Sequence, residues 1–578
     1  MAPSEDAPLH PPSALGVYTS SRPLIASHIL RERISHELAE LAVKEKELID
    51  PISRRRLELN RLWNGSLLIH RLPNELFVQI FAHFQDVTCR PPKPSLPSAI
   101  LQRGPSQPGW HGLMLVCRHW RDVFVSTPTF WRKVDLKRHI DWTNLCLTRS
   151  AAASIDVCAG RHDRCSLEVL HPHIHRFTIL RLDAQRHHIV SLFKSSMPLL
   201  EDLYLNVLEP EVNIDAQLTS QRFPRLRTLV LCGTVAPQET SLFAQLRALS
   251  LSCCSYNFSF DTFLDILVTC GRLEELTLKG TLDYLSDEWM HGDPAVPRRP
   301  PISLPRLRTF TMEKHEIIRT SRFLAHLHLQ PSLILSIGGN FQESDAAGVI
   351  PGTVNTISAM LPPNCSTTLP ILAIATKVDL VIWGNDYEIG CGNYPGFPYA
   401  RFALSMDGDP DWGGFMSQGL VDLVECFGRS PLTHLTVKGD HSHGTVEAWE
   451  RVFRTFPLLE EVDLGGSSGS EVTDVFRGLH AASTAHEDSP VACHNLKQLH
   501  VAGLGLVETY AAMKECLRYR SDRGVILQVL NLKYLPDAEG LTPQVRRAFV
   551  KDLCKAAECI QAFHGEWDVE QEEGEGEM

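Results

Sequence analysis

Leucine and its substitutes recur along the chain in short runs spaced L-x-x-L-x-L. Phe177-Leu180-Leu182, Leu200-Leu203-Leu205, Leu226-Leu229-Leu231, Leu246-Leu249-Leu251 and Leu273-Leu276-Leu278 form a first block, and Leu307-Phe310-Met312 is a weaker copy. Leu432-Leu435-Val437, Leu459-Val462-Leu464, Leu496-Leu499-Val501 and Leu527-Leu530-Leu532 form a second. Alternation of this kind predicts strands with one buried face. Many runs follow a stretch of helical period, such as Asp261 to Cys270 or Trp449 to Phe456. Between the blocks, over about 313–431, the pattern is confused. Leu324-Leu327-Leu329 fits it but runs into Pro331, which favours an ending helix there and a strand over Leu333 to Ile337. Val378 to Trp383 and Arg401 to Ser405 also read as strands.

Ahead of these runs the period is helical. From Ala26 to Leu59, Ile34, Leu41 and Leu48 recur every seventh residue with Leu38 on the same face, an amphipathic, coiled-coil-like helix. Glu40 and Lys44 make a favourable i,i+4 pair. Pro51 should break or kink it near Asp50. Only two or three heptads are visible, so packing onto the rest of the chain is expected in preference to a coiled coil. The triple Arg54-Arg55-Arg56 fits a solvated helix face. A second helix opens at Leu72-Pro73-Asn74-Glu75, with Asn74 as candidate N-cap, and carries Leu76, Ile80, Phe81 and Phe84 on an apolar face. A Pro-rich loop follows over about 85–112. Leu113, Leu115, Val116, Trp120, Val123 and Phe124 then predict another helix, ended by Ser126-Thr127-Pro128 and followed by Phe130-Trp131.

Ten copies of one strand pattern with helical lead-ins are the signature of a leucine-rich-repeat solenoid, in which each repeat covers its neighbour's open edge. The fold class is therefore α/β: N-terminal helices, a small all-α segment, then an irregular solenoid of parallel strands on the concave face with helices outside. The expected divisions are a disordered tail over 1–24, the amphipathic helix over 25–66, the small helical domain over 67–136 and the solenoid over 137–565. A disordered acidic tail over 566–578 closes the chain, with seven acids in thirteen residues.

Composition narrows the function. The chain has 578 residues, 43% of them hydrophobic, and a net charge of −12. That balance argues against a nucleic-acid footprint, which is ordinarily basic. The N-terminus has acids and prolines where a signal peptide has a basic start and an apolar run. The longest uncharged stretch, 346–376, is interrupted by four prolines, so no membrane span is expected. Sixteen cysteines without CxxC spacing read as reduced thiols of a cytoplasmic or nuclear protein.

Candidate chemistry is sparse. Gly465-Gly-Ser467-Ser-Gly469 matches G-x-S-x-G after a strand, but each repeat supplies a strand, a turn and a helix, and Gly/Ser is ordinary turn material. His171, His173 and His175 alternate as strand ligands would, yet Pro172 divides them and no Cys or carboxylate completes a set. They read as solvated loop histidines, as do His187-His188 and His441/His443. No nucleotide-binding glycine loop and no HExxH is present. No catalytic residue, metal or cofactor is expected.

Leu72-Pro73-x-Glu75-Leu76-x-x-x-Ile80, then Val116-Cys117-Arg118-x-Trp120-Arg121, then Trp131, resemble an F-box. With the preceding helix and the leucine-rich strands, the chain resembles the F-box and leucine-rich-repeat family of mushroom-forming fungi. The resemblance implies a substrate-recognition subunit of an SCF-type cullin–RING ubiquitin ligase. Its F-box would dock a Skp-type adaptor, and through it a cullin. The solenoid would hold a target protein. Carried over by motif, Leu72, Pro73, Leu76, Ile80, Val116, Cys117 and Trp120 would form or support the adaptor interface, with Trp120 as main anchor. Phe81, Phe84 and Trp131 fit core and contact equally. The competing reading is a non-catalytic scaffold whose F-box-like helices only cap the solenoid.

Overall fold

The structure, a computed structural model, describes residues 22–88, 110–136, 139–160, 167–184, 186–207, 218–285, 299–341, 356–363, 365–383, 386–393, 396–406, 415–465, 472–484, 490–504, 507–534 and 543–564. The expected terminal tails, nearly all of the Pro-rich loop, and Ser467 with most of its glycine motif lie outside these residues. The described residues fall into two compact units, one ending at Thr127 and the other starting at Pro128.

The first unit is helical. α1 (Arg22–Ser66) is 45 residues long and continues through Pro51. The expected break does not occur. Proline removes one ladder hydrogen bond, but the turns on both sides are rich in Leu, Glu, Lys and Arg, which favour helix. Within the first unit the described residues do not cover α1 as expected: Leu38 is 61% and Leu48 70% exposed. α2 (Asn74–Thr88) starts directly after Pro73, whose carbonyl accepts from the Leu76 and Phe77 amides. α3 (Arg118–Ser126) is shorter than the helix expected over Leu113–Phe124. Cys117 is fully extended, φ −158° and ψ 170°, and divides that stretch into a 3₁₀ turn (Trp110–Leu115) and α3. Its Sγ accepts the Trp120 amide at 3.5 Å and so caps α3. Phe77 and Phe81, one turn apart on α2, face inward. Phe81 stacks on Phe124 with centroids 4.6 Å apart.

The second unit is a sheet wound with helices. Its strands are β1 (Lys133–Asp135), β2 (Ile155–Ala159), β3 (Phe177–Ala184), β4 (Asp202–Val207), β5 (Thr228–Cys232), β6 (Ala248–Ser252), β7 (Glu275–Lys279), β8 (Ile302–Ser303), β9 (Thr309–Glu316), β10 (Leu327–His328), β11 (Ile334–Phe341), β12 (Lys377–Trp383), β13 (Asp386–Asn393), β14 (Gly396–Met406), β15 (His434–Gly439), β16 (Glu461–Gly465), β17 (Gln498–Leu504), β18 (Leu527–Tyr534) and β19 (Ala557–His564). Seventeen of them form one sheet in a solenoid-like arrangement, while β8 and β10 pair separately. From β1 to β7 each strand pairs in parallel with the next, and β7 continues to β9 and β11. β15 to β19 repeat the arrangement.

The leucine template explains this geometry. Leu203 and Leu205, Leu229 and Leu231, and Leu276 and Leu278 are almost completely buried, while the residues between them are half-buried on the other face. Helices close the leucine side: Phe260–Thr269 buries Phe263, Leu264, Ile266 and Leu267. A fully buried leucine stabilises by about 1.5–3 kcal/mol. No single repeat can bury its face alone, so stability accrues through stacking.

The middle departs from simple succession. β14 pairs with β11, while β12, earlier in the chain, pairs with β15; β13 runs antiparallel between them. The strands anticipated over 378–383 and 401–405 are β12 and part of β14. β13 was not anticipated, because Tyr387, Ile389 and Cys391 alternate without leucine; all three are buried. The helix expected to end before Pro331 ends at Ala325. Asp422, wholly buried, ties the section together. Its carboxylate accepts from Ile357 N at 2.8 Å, Ser358 Oγ at 2.7 Å, Gln418 Nε2 at 3.3 Å and the Tyr387 hydroxyl. Gly439 closes β15 with φ +148°, where a Cβ would come within 2.3 Å of the Ile382 carbonyl oxygen.

Candidate docking site

The first unit leaves several apolar side chains of α2 exposed among the described residues. On α2, the i,i+4 row Phe77–Phe81 is buried, and the adjacent row Leu76–Ile80–Phe84 is exposed at 41%, 47% and 39%. α2 packs against α3 and against the 110–115 turn. The end of that turn contributes two more exposed residues, Leu115 and Val116. A helix that turns one apolar row inward and leaves the next one open is half of a helix-in-groove interface.

The seven residues singled out by motif divide into two groups. Pro73, Leu76, Ile80 and Val116 are exposed. Leu72, Cys117 and Trp120 are half-buried. Trp120 lies on the aromatic core, 4.9 Å from the Phe81 ring and 6.1 Å from Phe77. Its indole Nε1 is buried without an acceptor among the described residues. Cys117 holds the corner. Its Sγ is 3.5 Å from His70 Nε2, and His70 Nδ1 hydrogen-bonds the Asn64 carbonyl. That pairing makes Nδ1 the protonated nitrogen, so Nε2 accepts the Cys117 thiol proton. His70 also packs edge-on against His119, and His119 edge-on against Phe77. The motif therefore combines surface residues with residues that hold the surface in place.

Phe81 is core, at 2% exposed, and Phe84 is surface. Trp131 is also core, but of the second unit. It lies 5.7 Å from Trp142, with the Arg149 guanidinium 4.6 Å above its ring. Leu115 and Leu68, 78% and 75% exposed, were not singled out. Both sit in 3₁₀ turns, where helical periodicity gives no signal.

The second unit offers the open face of its sheet. Strand register aligns Arg401, Gly390, Asp379, Thr436, Asp463, His500, Asn531 and Gln561 in one row. Glu461, on the adjoining row, lies 3.7 Å from both His434 and His500. Burial pushes the Asp463 carboxyl up, against the opposing pull of His500 and Lys438. In the first block Arg181 lies over Tyr204 at 4.5 Å. The face is thus mixed in charge and rich in donors and acceptors.

Among the described residues the candidate histidines do not form a ligand set. His171, His173 and His175 lie on a 3₁₀ helix (Leu167–Arg176), not a strand. His173 contacts Arg176 at 3.2 Å, and burial lowers its pKa first, with Arg176 adding to the effect. Among the described residues no group of three or more His, Cys, Asp or Glu side chains could hold a metal ion. None of the described helices is long and apolar enough to cross a membrane.

The chain thus has a small helical unit with exposed apolar residues on α2, followed by a wound, mostly parallel sheet in a solenoid-like arrangement. Residues 69–137 match the F-box-like family, so the chain carries an F-box-like domain. No curated protein matches the chain.

Proposed function

We infer that this chain is a substrate-recognition subunit of an SCF-type cullin–RING ubiquitin ligase. F-box domains bind Skp-type adaptors in such complexes, and the family is typically non-catalytic. The observation that carries the reading is the exposed pair Leu76 and Ile80 on α2 beside the exposed Leu115-Val116 turn, within the matched domain. Pro73, Leu76, Ile80 and Val116 are the adaptor-facing residues. Leu72, Cys117 and Trp120 support them from within. The adaptor links the chain to a cullin. The second unit is a leucine-rich-repeat solenoid over 137–565, of the kind found in mushroom-forming fungi, and its open sheet face receives a target protein. Catalysis by the assembly is proximity: the chain holds the target near a charged conjugating enzyme and forms no covalent bond itself.

The test is capture of the recombinant Skp-type adaptor of the same organism by the full chain. Leu76→Lys with Ile80→Lys places two charges on the interface and should lower capture at least about 100-fold, since an unpaired interfacial charge costs several kcal/mol. Both positions are exposed, so the melting profile should hold. Undiminished capture by that variant, or no capture by the wild type, removes the assignment and leaves a scaffold with a helical N-terminal unit.

A further inference from the structure

α1 carries an apolar seam that the described residues of its own chain leave exposed. Read as heptads with Leu38 at position a, the seam runs from Ile34 to Leu62. It is interrupted at only two places, Glu45 at an a position and Arg55 at a d position. Leu48 is 70%, Ile52 68% and Leu62 70% exposed. At 1.5 Å per residue the seam is about 42 Å long, enough for four heptads. A strict seven-residue repeat over that length suits a supercoiled partner helix rather than a lone one.

The two charges say which partner fits. In an antiparallel pair of identical helices each a position faces a d position of the other copy. Setting Glu45 against Arg55 of the second copy fixes the register about residue 50. In that register Leu38 faces Leu62, Leu41 faces Leu59 and Leu48 faces Ile52. From Leu38 to Leu62 every apolar position thus meets an apolar one, with Ile34 facing Ser66 at the end, and each buried charge meets its opposite. Lys44 and Glu58 also come together on the flank. A parallel, in-register pair would instead set Glu45 on Glu45 and Arg55 on Arg55. Sliding a parallel pair cannot repair this, because ten residues separate the two charges and ten is not a multiple of seven. Within one chain Arg55 pairs only at the surface, with Glu58 at 3.0 Å, both more than half exposed. That bond is weak and can be shared or exchanged. Pro51 lies outside the seam, at a g position. We propose that two copies of this chain associate through α1 as an antiparallel coiled coil in the register that pairs Glu45 with Arg55.

The full chain should sediment at twice its 64.8 kDa mass at micromolar concentration. Leu41→Asp with Leu48→Asp should return it to monomer with unchanged helix content, since both positions are exposed. Glu45→Arg alone and Arg55→Glu alone should each weaken the dimer about ten-fold or more, by putting like charges together in the seam. The double variant Glu45→Arg/Arg55→Glu should bring the affinity back. A parallel dimer gives a different result: its seam already holds two like-charged pairs, so neither single change weakens it and the exchange rescues nothing. A monomeric wild type, a dimer that survives Leu41→Asp/Leu48→Asp, or single reversals without effect would each overturn the proposal. Adaptor capture is read separately in the same variants, so loss of the dimer with capture retained leaves the ligase reading untouched.

Discussion

Truncating Trp120 tests whether this residue is an anchor for a partner or a post in the core. The indole is half-buried, 4.9 Å from Phe81 and 6.1 Å from Phe77, and Phe81 in turn stacks on Phe124. Trp→Ala at a core position costs about 3–5 kcal/mol through lost contacts and the cavity left behind. Aromatic pairs of this geometry account for about 0.5–1.5 kcal/mol each beyond area burial. The first unit is small, with a core built largely from Phe77, Phe81, Val123 and Phe124. For a domain of 60–100 residues, 1 kcal/mol shifts Tm by about 4–8 °C, so Trp120→Ala should lower the transition of this unit by more than 10 °C. The assay is a thermal melt followed by far-UV circular dichroism, with adaptor affinity measured below the lowered transition. Trp120→Ala should lose stability first and affinity only as a consequence. Trp120→Phe should recover most of both. A variant that melts like the wild type yet binds the adaptor ten-fold or more weakly would refute the reasoning and make Trp120 a contact residue.

Two further outcomes follow from buried groups in the second unit. Burial pushes the imidazoles of His315 and His441 down to about 4, so the folded chain binds fewer protons there than the unfolded one. Their contribution is intact above the unfolded pKa of about 6.5 and is lost as pH falls from there towards 4, by about 2 kcal/mol each at pH 5. His315→Asn/His441→Asn should therefore flatten the pH dependence of urea unfolding between pH 7 and 5; an unchanged slope would show that the two rings do not titrate as described. Asp422→Ala leaves the Tyr387 hydroxyl, the Ile357 amide and the Ser358 hydroxyl without their acceptor, at about 1–3 kcal/mol for each buried donor. Amide exchange over 357–360 and 386–393 should rise while that over β3 to β7 stays constant, and equal rates in both places would count against the hub.

The strands were legible because the same physics repeats. The last two positions of L-x-x-L-x-L share one face at period two, and in all ten runs those two positions lie in strands of the sheet. The docking motif was legible only as residue types. Leu76, Ile80 and Phe81 look alike in sequence, and 100° of helix rotation separates the exposed row from the buried one. Cys117 and Trp120 read as forming or supporting an interface without the sequence saying which, because a side chain that caps a helix or fills a core carries the same letter as one that meets a partner. The hairpin of β12 to β14 was illegible for a different reason: which strand pairs with which is set by contacts far apart in sequence, and Tyr387-x-Ile389-x-Cys391 carries no repeat signature.

By itself, then, the sequence determined the fold class, the positions of the leucine-patterned strands and the presence of an F-box-like segment, because periodicity and composition are local. It also held the charge placement along α1. The tertiary structure decided which side chains stay open. Exposure is a property of what lies opposite a residue, and only the folded chain shows that Phe81 has Phe124 across from it while Ile80, Val116 and the seam of α1 stay exposed among the described residues.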